Sequence, residues 1–570
     1  MQTNKRSVSV EQSRAQSLAV WILLILLVVF LRLPSFVEAF FDPDVAATVY
    51  SAQLFAAGGC LYPEAVETKP PGSYAVFALL LGAFHSMLGV QLFLAAYHLA
   101  VAFVLAKLVE SMTGRRIGWF AALFYGVFSA GGFVNGFAPN FETWTLLPLT
   151  AAVYLLWQWR SAERFRLVVL AGLLAGLAVL MKQQGALPAL ALGAVVPLFV
   201  WRTANKNRLH RSAASLWAFG AGALLPWALT LLYFAAKGCA DDLLVALNPW
   251  RNVDYAVSRT WSEFFTAGRQ TAFAFARHTW LLMLLWPVGL FAAWRRGASA
   301  GRSLWALWLL GSLAAVVAGT KFFTHYYFFL LPPLCGLAAL GIEALATKFS
   351  GNGRRIFPLL LLVSLLACQQ RELRFAALGA KALLTTGRPV SREIFTLNRS
   401  LGGGWLDFVT PYNHLEWELA SRTAGKYIRA HSAPDDGLLV YDYLPSVYWY
   451  ARRFAPTRHH MNFEVAYELA PEFGKWYDRE TARLAANRAE LLDDLRAAPP
   501  AFIVRARYAP PVKNELAFHP SNVYGDPAGA VLWQTPLFAD LAQFVAENYH
   551  EVAELSDLPL LVLQRNDHLP

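Results

Sequence analysis

Apolar runs separated by short basic clusters fill the first two-thirds of the chain. Leu18–Phe36, Leu92–Val109, Ala213–Phe234 and Leu281–Trp294 each carry at most one charge and approach the length that spans a bilayer core, the last being the shortest. The pattern predicts helical spans near 18–36, 91–110, 117–134, 143–158, 167–181, 186–201, 213–235, 279–294, 303–319, 326–346 and 356–370. The basic start at Lys5, Arg6 and Arg14, followed by Val37-Glu38-Ala39, weakly resembles a cleaved leader. The many spans behind it favour a retained anchor.

One segment decides the topology. Ser73–Leu88 is only about 16 residues long, contains His85 and follows Lys69-Pro70-Pro71. Read as a re-entrant or interfacial hairpin, it leaves about eleven spans. Arg115/Arg116, Arg160/Arg164/Arg166, Arg202/Lys206/Arg208/Arg211, Arg295/Arg296/Arg302 and Lys348/Arg354/Arg355 then all fall in cytoplasmic loops. Read as a span, it moves every later loop to the other side and breaks the positive-inside rule. The expected arrangement is therefore a cytoplasmic N-terminus, an external first loop at about 37–90, and a C-terminal domain outside the cell membrane.

Composition agrees. Of 570 residues, 56% are hydrophobic and only 15% charged, with a mean hydropathy of +0.39. That excludes an ordinary soluble protein of this size. The net charge of +11 reads as membrane topology rather than as a nucleic-acid surface. After about residue 371 polar residues rise and no spanning run follows. The chain thus divides into a transmembrane part, 1–370, and a soluble part, 371–570. In the latter, "GLLVYDY" from Gly437, "AFIVRA" from Ala501 and "LPLLVLQR" from Leu558 read as strands, and Tyr477–Leu495 as a helix, giving an α/β domain. It contains no glycine-rich phosphate loop. Cys335 and Cys368 sit in apolar runs. Cys60 and Cys239 fall on one side of the membrane, which makes a disulfide between them a weak expectation.

The topology places Asp42, Asp44, Lys69, Asn140, Glu142, Lys182, Lys321 and His325 on the same external face. Charges near a bilayer are costly, so a cluster at one depth suggests a shared polar cavity. Each group also has a plainer reading. Asp42-Pro43-Asp44 suits a turn, Lys69 and Lys182 suit interfacial snorkelling, and Glu142 suits a helix N-terminus. Together they suit a lipid-linked phosphate sugar. Lys69, Lys182, Lys321 and His325 would hold the donor phosphate and stabilise charge as it leaves. Asp44, Asp42 and Glu142 would serve as catalytic acids, one of them activating the acceptor. Asn140, Tyr326 and Arg452 are candidate acceptor or sugar contacts. The sequence shows no metal-ligand spacing and no required cofactor; a divalent metal has no support in it.

The ordered motifs resemble a known family. "DPDVAATVYSAQLFAAGGCLY" (Asp42–Tyr62) with "KPPGSY" (Lys69–Tyr74), "NFETW" (Asn140–Trp144), "GLAVLMKQQG" (Gly176–Gly185) and "HYYFFLLPPL" (His325–Leu334) follow one another as in the membrane glycosyltransferases related to protein mannosyltransferases and to the bacterial lipid A aminoarabinose transferase, of the family 39 type. "APDDGLLVYDYLPSVYWYARRFAPTRH" (Ala433–His459) resembles the external domain of its bacterial members. The resemblance implies a GT-C fold, a polytopic helical membrane protein, and a polyprenyl-phosphate-linked sugar donor used by an inverting transferase. The acceptor would be a lipid, glycan or protein of the cell envelope. It maps the first-loop acid onto Asp44, with Asp42 the close alternative, the loop lysine onto Lys69 and the second acid onto Glu142. Val45 stands where the family carries a further acid. The rival reading is a transporter or flippase, for which internal repeats and midplane charges would be expected.

Overall fold

Helix formation follows the apolar runs closely. In the computed structural model, which describes residues 2–37, 42–162, 164–203, 207–248, 260–295, 299–350, 353–386, 414–441, 444–460, 477–506 and 539–568, five helical segments are long and apolar enough to cross a membrane. These are Met87–Glu110, Gln183–Arg202, Arg208–Ala236, Gly301–Ala318 and Thr324–Ala346. Two bent pairs, Trp261–His278 with Trp280–Arg295 and Ile356–Cys368 with Gln370–Lys381, raise this to seven if each is one span. Ala15–Leu31, Gly72–Phe84 and Phe165–Met181 are shorter apolar helices. Gly72–Phe84, the segment on which the topology turned, is a 13-residue helix closed by His85 in the left-handed region. At 1.5 Å per residue it spans about 20 Å, short of a hydrocarbon core of roughly 30 Å.

The chain folds as two compact units, each discontinuous in sequence. The first comprises 1–37, 90–229 and 268–388, and the second 38–89, 230–267 and 389–570. Small residues bring helices of the first unit together. Gly172 and Gly176, four apart on one helix face, lie against the Phe219 and Ala223 carbonyls, where a side chain would collide with backbone. The helices Trp280–Arg295 and Leu331–Ala346 pack closely, as do Phe141–Ala162 and Phe165–Met181. The loop after Phe128 is irregular backbone and needs polar partners. Buried Arg32 donates to the Ser129 carbonyl at 2.9 Å and the Gly136 carbonyl at 2.6 Å. The Gly132 N–H donates to the Glu372 carboxylate at 3.4 Å. These bonds fix the approach to Asn140 and Glu142.

In the second unit, four strands form one sheet in the order β1-β2-β4-β3: β1 (Leu438–Val440), β2 (Phe502–Ala506), β3 (Tyr549–Glu551) and β4 (Leu560–Arg565). β1 and β2 are parallel, with Leu439 opposite Ile503, and the other pairs are antiparallel. Side chains alternate between the two faces, as a pleated strand requires. Leu438, Val440, Phe502 and Val504 pack with Ala420, Ala424 and Ile428 of the helix His414–Ala430 and with Val447 and Tyr448 of Ser446–Ala451. Leu439, Tyr441 and Ile503 face Leu491 and Leu495 of Tyr477–Ala497 and Leu541 and Val545 of Ala539–Asn548. Tyr50, from the first-loop segment, belongs to the former core.

Candidate functional site

The candidate residues form two clusters, one in each unit. In the first unit, Glu142 lies in the opening turn of Phe141–Ala162, preceded by buried Asn140, whose carbonyl accepts from the Thr143 N–H at 3.0 Å. Lys182 occupies a break. The helix Phe165–Met181 ends there in extended backbone (φ −153°, ψ 129°), and a 3-10 turn at Gln183–Gly185 leads into the next helix. The Gln184 side chain steadies the turn by donating to the Ala315 carbonyl at 3.2 Å. His325 lies on a 3-10 helix, Thr324–Leu330, running into a helix that begins with Pro332 and Pro333. Prolines fit there because the first turn of a helix leaves its N–H groups unbonded.

These breaks bring together groups far apart in the chain. Lys182 Nζ lies 3.0 Å from Glu142 Oε1, and His325 Nε2 lies 3.9 Å from the same oxygen. Lys182 also sits over the rings of Phe141 at 5.5 Å and Tyr326 at 5.6 Å, a favourable place for a cation. Glu142 and Lys182 are both buried. Sequence reading treated them as separate acid and phosphate contact; the fold makes them an ion pair. Lys321 is buried as well, between Thr320 (φ 50°) and Phe322 (φ 54°). Two non-glycine residues in the left-handed region, one on either side of Lys321, cost roughly 1–2 kcal/mol each, so surrounding packing must impose this turn.

In the second unit, Asp42 caps the helix Pro43–Ala56. Its Oδ1 accepts from the Asp44 N–H at 2.8 Å, with Pro43 at the first helical position. This is a common helix start: a capping acid, then proline, then a second acid favoured by the helix dipole. Asp44 and Ser51 are seven residues apart and so share a helix face. The Ser51 hydroxyl donates to Glu67 Oε1 at 2.8 Å. Glu67 is buried, and burial raises its carboxyl above the usual range; Lys69 and hydrogen bonds from Tyr74 and Ser51 oppose that rise, and Asp44 adds to it. Glu67 lies in the loop quoted for Lys69, yet nothing in its local pattern marked it out.

That loop is held at several points. The Tyr62 hydroxyl donates to the Lys69 carbonyl at 2.9 Å. The Val66 N–H donates to the Arg458 carbonyl at 3.3 Å. Cys60 and Cys239, only weakly expected to pair, form a disulfide across 179 residues, and Lys237 Nζ donates to the Gly58 carbonyl at 3.1 Å. Arg452 closes the short helix Ser446–Ala451 in the left-handed region (φ 53°). Among the described residues, no group of three or more His, Cys, Asp or Glu side chains could hold a metal ion.

No family model and no curated protein sequence matches the chain. Solved structures do. ArnT from Cupriavidus metallidurans bound to undecaprenyl phosphate is similar over 96% of this chain and 98% of its own, with a TM-score of 0.58 and 16% identity. The same protein in the apo state is similar over 97% and 98%, with a TM-score of 0.51 and 15% identity. At such identity the likeness is one of fold, and it extends over nearly the whole chain. With its apolar helices, this chain is a multi-pass membrane protein that shares the GT-C fold of membrane glycosyltransferases.

Proposed function

We propose that the protein is an inverting glycosyltransferase that moves a sugar from a polyprenyl-phosphate donor to a cell-envelope acceptor on the extracytoplasmic face. The observation that carries this reading is the first-loop cluster: Asp42 and Asp44 at a helix N-terminus, with Glu67 and Lys69 on a braced loop, in a chain whose fold matches that of a protein crystallised with undecaprenyl phosphate. Lys69 is assigned to the donor phosphate, because an ammonium offers a full charge and three donors to a leaving phosphate. Asp44 is assigned as the acceptor's base. Asp42 caps the helix, and Asp44 is preferred as the base because it lies in the first helical turn on the face that Ser51 presents to Glu67. Attack from the face opposite the departing phosphate inverts the sugar carbon, as in single-displacement glycosidases.

Glu142 is proposed as a further catalytic acid and Lys182, Lys321 and His325 as further phosphate contacts, with Lys182 beside Glu142 favouring its ionised form. Asn140, Tyr326 and Arg452 remain the proposed acceptor or sugar contacts. The lysines supply the positive charge at the leaving group, and the proposal assigns no metal. The part beyond residue 371, the eleven-span count and the cytoplasmic N-terminus follow the topology argument from basic loops. A disulfide between Cys60 and Cys239 agrees with their placement in an oxidising compartment.

The test is native mass spectrometry of the full chain in detergent with undecaprenyl phosphate added. The wild type is expected to retain one lipid, and Lys69→Ala to lose it by tenfold or more in affinity. A folded wild type that retains none contradicts the donor assignment.

A further inference from the structure

We propose that the segment Ala455–His460 is a positioning clip for the first-loop cluster, with His460 as its central residue; the functional meaning of the clip rests on the donor reading above, whereas its existence does not. The segment reaches both halves of the cluster. On one side it holds the helix that carries Asp42 and Asp44. Tyr50 of that helix stacks on the His460 ring at 4.3 Å between centroids, 18° from parallel. It lies 4.4 Å from the Tyr448 ring, and its hydroxyl accepts from the Ala455 N–H at 3.0 Å. On the other side the segment holds the loop that carries Glu67 and Lys69, because the Arg458 carbonyl accepts from the Val66 N–H at 3.3 Å.

His460 connects the two. Its Nδ1 lies 3.2 Å from the same Arg458 carbonyl. A carbonyl only accepts, so Nδ1 carries the proton. The imidazole thus orients the carbonyl that Val66 uses while its face supports Tyr50. Its side chain is buried, and the Tyr448 hydroxyl donates to the His460 carbonyl at 3.0 Å while accepting from the Val440 N–H at 2.9 Å. The clip is therefore joined to strand β1 through the Tyr448 hydroxyl. Helical spacing explains the division of labour. Ala47, Tyr50 and Leu54 follow the i, i+3, i+7 spacing of one face, while Asp44, Thr48 and Ser51 follow i, i+4, i+7 on another. One face docks on the C-terminal core, and the other presents carboxylate and hydroxyl to Glu67 and its loop. By this account the C-terminal segment does not merely follow the catalytic machinery; it sets the separation between its acid helix and its lysine loop. A displacement of about 1 Å there is enough to cost a hundredfold in rate.

The experiment uses the full chain in nanodiscs, as wild type, His460→Ala, His460→Asn and Tyr549→Phe. Asparagine places an N–H donor near the Nδ1 position. Tyr549→Phe removes a buried hydrogen bond to the Pro500 carbonyl on the other face of the sheet and serves as a control for general loosening. Amide exchange over 61–69 and undecaprenyl phosphate affinity are measured for each. His460→Ala is expected to speed exchange at Val66 tenfold or more and to weaken lipid binding about tenfold. His460→Asn is expected to recover most of both, and Tyr549→Phe to change neither. Wild-type exchange in a folded His460→Ala protein overturns the clip, and so does equal loosening in Tyr549→Phe. If His460→Ala does not fold, His460→Phe, which keeps the ring but not the donor, decides the matter: exchange at Val66 rises or the clip is wrong. A wild type that binds no undecaprenyl phosphate overturns the donor reading alone, since the exchange measurement still decides the clip.

Discussion

The two charged clusters are built in opposite ways. In the first unit, Glu142, Lys182 and His325 stand where helices break, and each is placed by the end of a helix or a 3-10 turn. Lys182 neutralises Glu142 at 3.0 Å, with His325 Nε2 3.9 Å from the same oxygen, so the acid has its counter-charge within the cluster. In the second unit, Glu67 and Lys69 lie on the irregular stretch between the one-turn helix Leu61–Glu64 and the helix Gly72–Phe84. Their position depends on a serine two turns along a neighbouring helix, a tyrosine hydroxyl, a disulfide and a carbonyl from Arg458. A site fixed by helix ends is rigid without help. A site on a loop must import its rigidity, and here it does so both from near neighbours in the chain and, through the disulfide and the Arg458 carbonyl, from residues far along it.

The largest expected effect tests whether the loop cluster does the chemistry. Asp44→Asn is expected to lower transfer by a factor on the order of 10²–10⁴ while undecaprenyl phosphate binding is kept, as read by product mass and native mass spectrometry. Next comes the counter-charge within the other cluster. Lys182→Met leaves Glu142 buried without its close cation and is expected to cost about 3–5 kcal/mol in thermal unfolding. Lys182→Met with Glu142→Gln should recover most of that stability; if the double variant is as unstable as the sum of the singles, the pair is not the unit described here.

Removing imported rigidity has a smaller reach. Cys60→Ser with Cys239→Ser is expected to cost about 2–5 kcal/mol in the second unit, seen as faster amide exchange over 57–71, with the first unit unchanged. pH probes the same brace. Burial lowers the His460 imidazole to about 4, below its unfolded value. The unfolded chain then takes up the proton more readily, so the neutral-ring contribution is present above the ordinary histidine range and is lost as pH falls from about 6.5 towards 4. Its full size is about 3 kcal/mol. His460→Asn should flatten the melting temperature of this unit across that window. The smallest effect concerns Arg452. Its left-handed backbone is better suited to glycine, and Arg452→Gly is expected to stabilise by about 1 kcal/mol in chemical denaturation. A simultaneous loss of acceptor affinity would mark the arginine as retained for binding.

The contrast also explains what could be read from the sequence. Apolar period and length gave the long helices, and short apolar runs with β-branched residues gave the strands at Leu438, Phe502 and Leu560. These signals are local, because they report the repeat of one element. Glu142, Lys182 and His325 were visible for a related reason: a charge or a polar triplet interrupting an apolar run stands out. Their mutual contact was not visible, since it depends on which helix ends meet. Glu67 was passed over in a loop already polar, where one more carboxylate carries no contrast. The Cys60–Cys239 bond and the Tyr50–His460 stack join residues 179 and about 400 positions apart. Nothing in spacing encodes such a pairing.

The most direct test of the central assignment is a single-turnover reaction with a purified polyprenyl-phosphate sugar and cell-envelope extract, following free polyprenyl phosphate and the anomeric configuration of the product. The account predicts release by the wild type with inversion at the sugar carbon, and no release by an Asp44→Asn protein that still binds the lipid. Equal release by Asp44→Asn, or a wild type that holds the donor and never releases its phosphate, would contradict it.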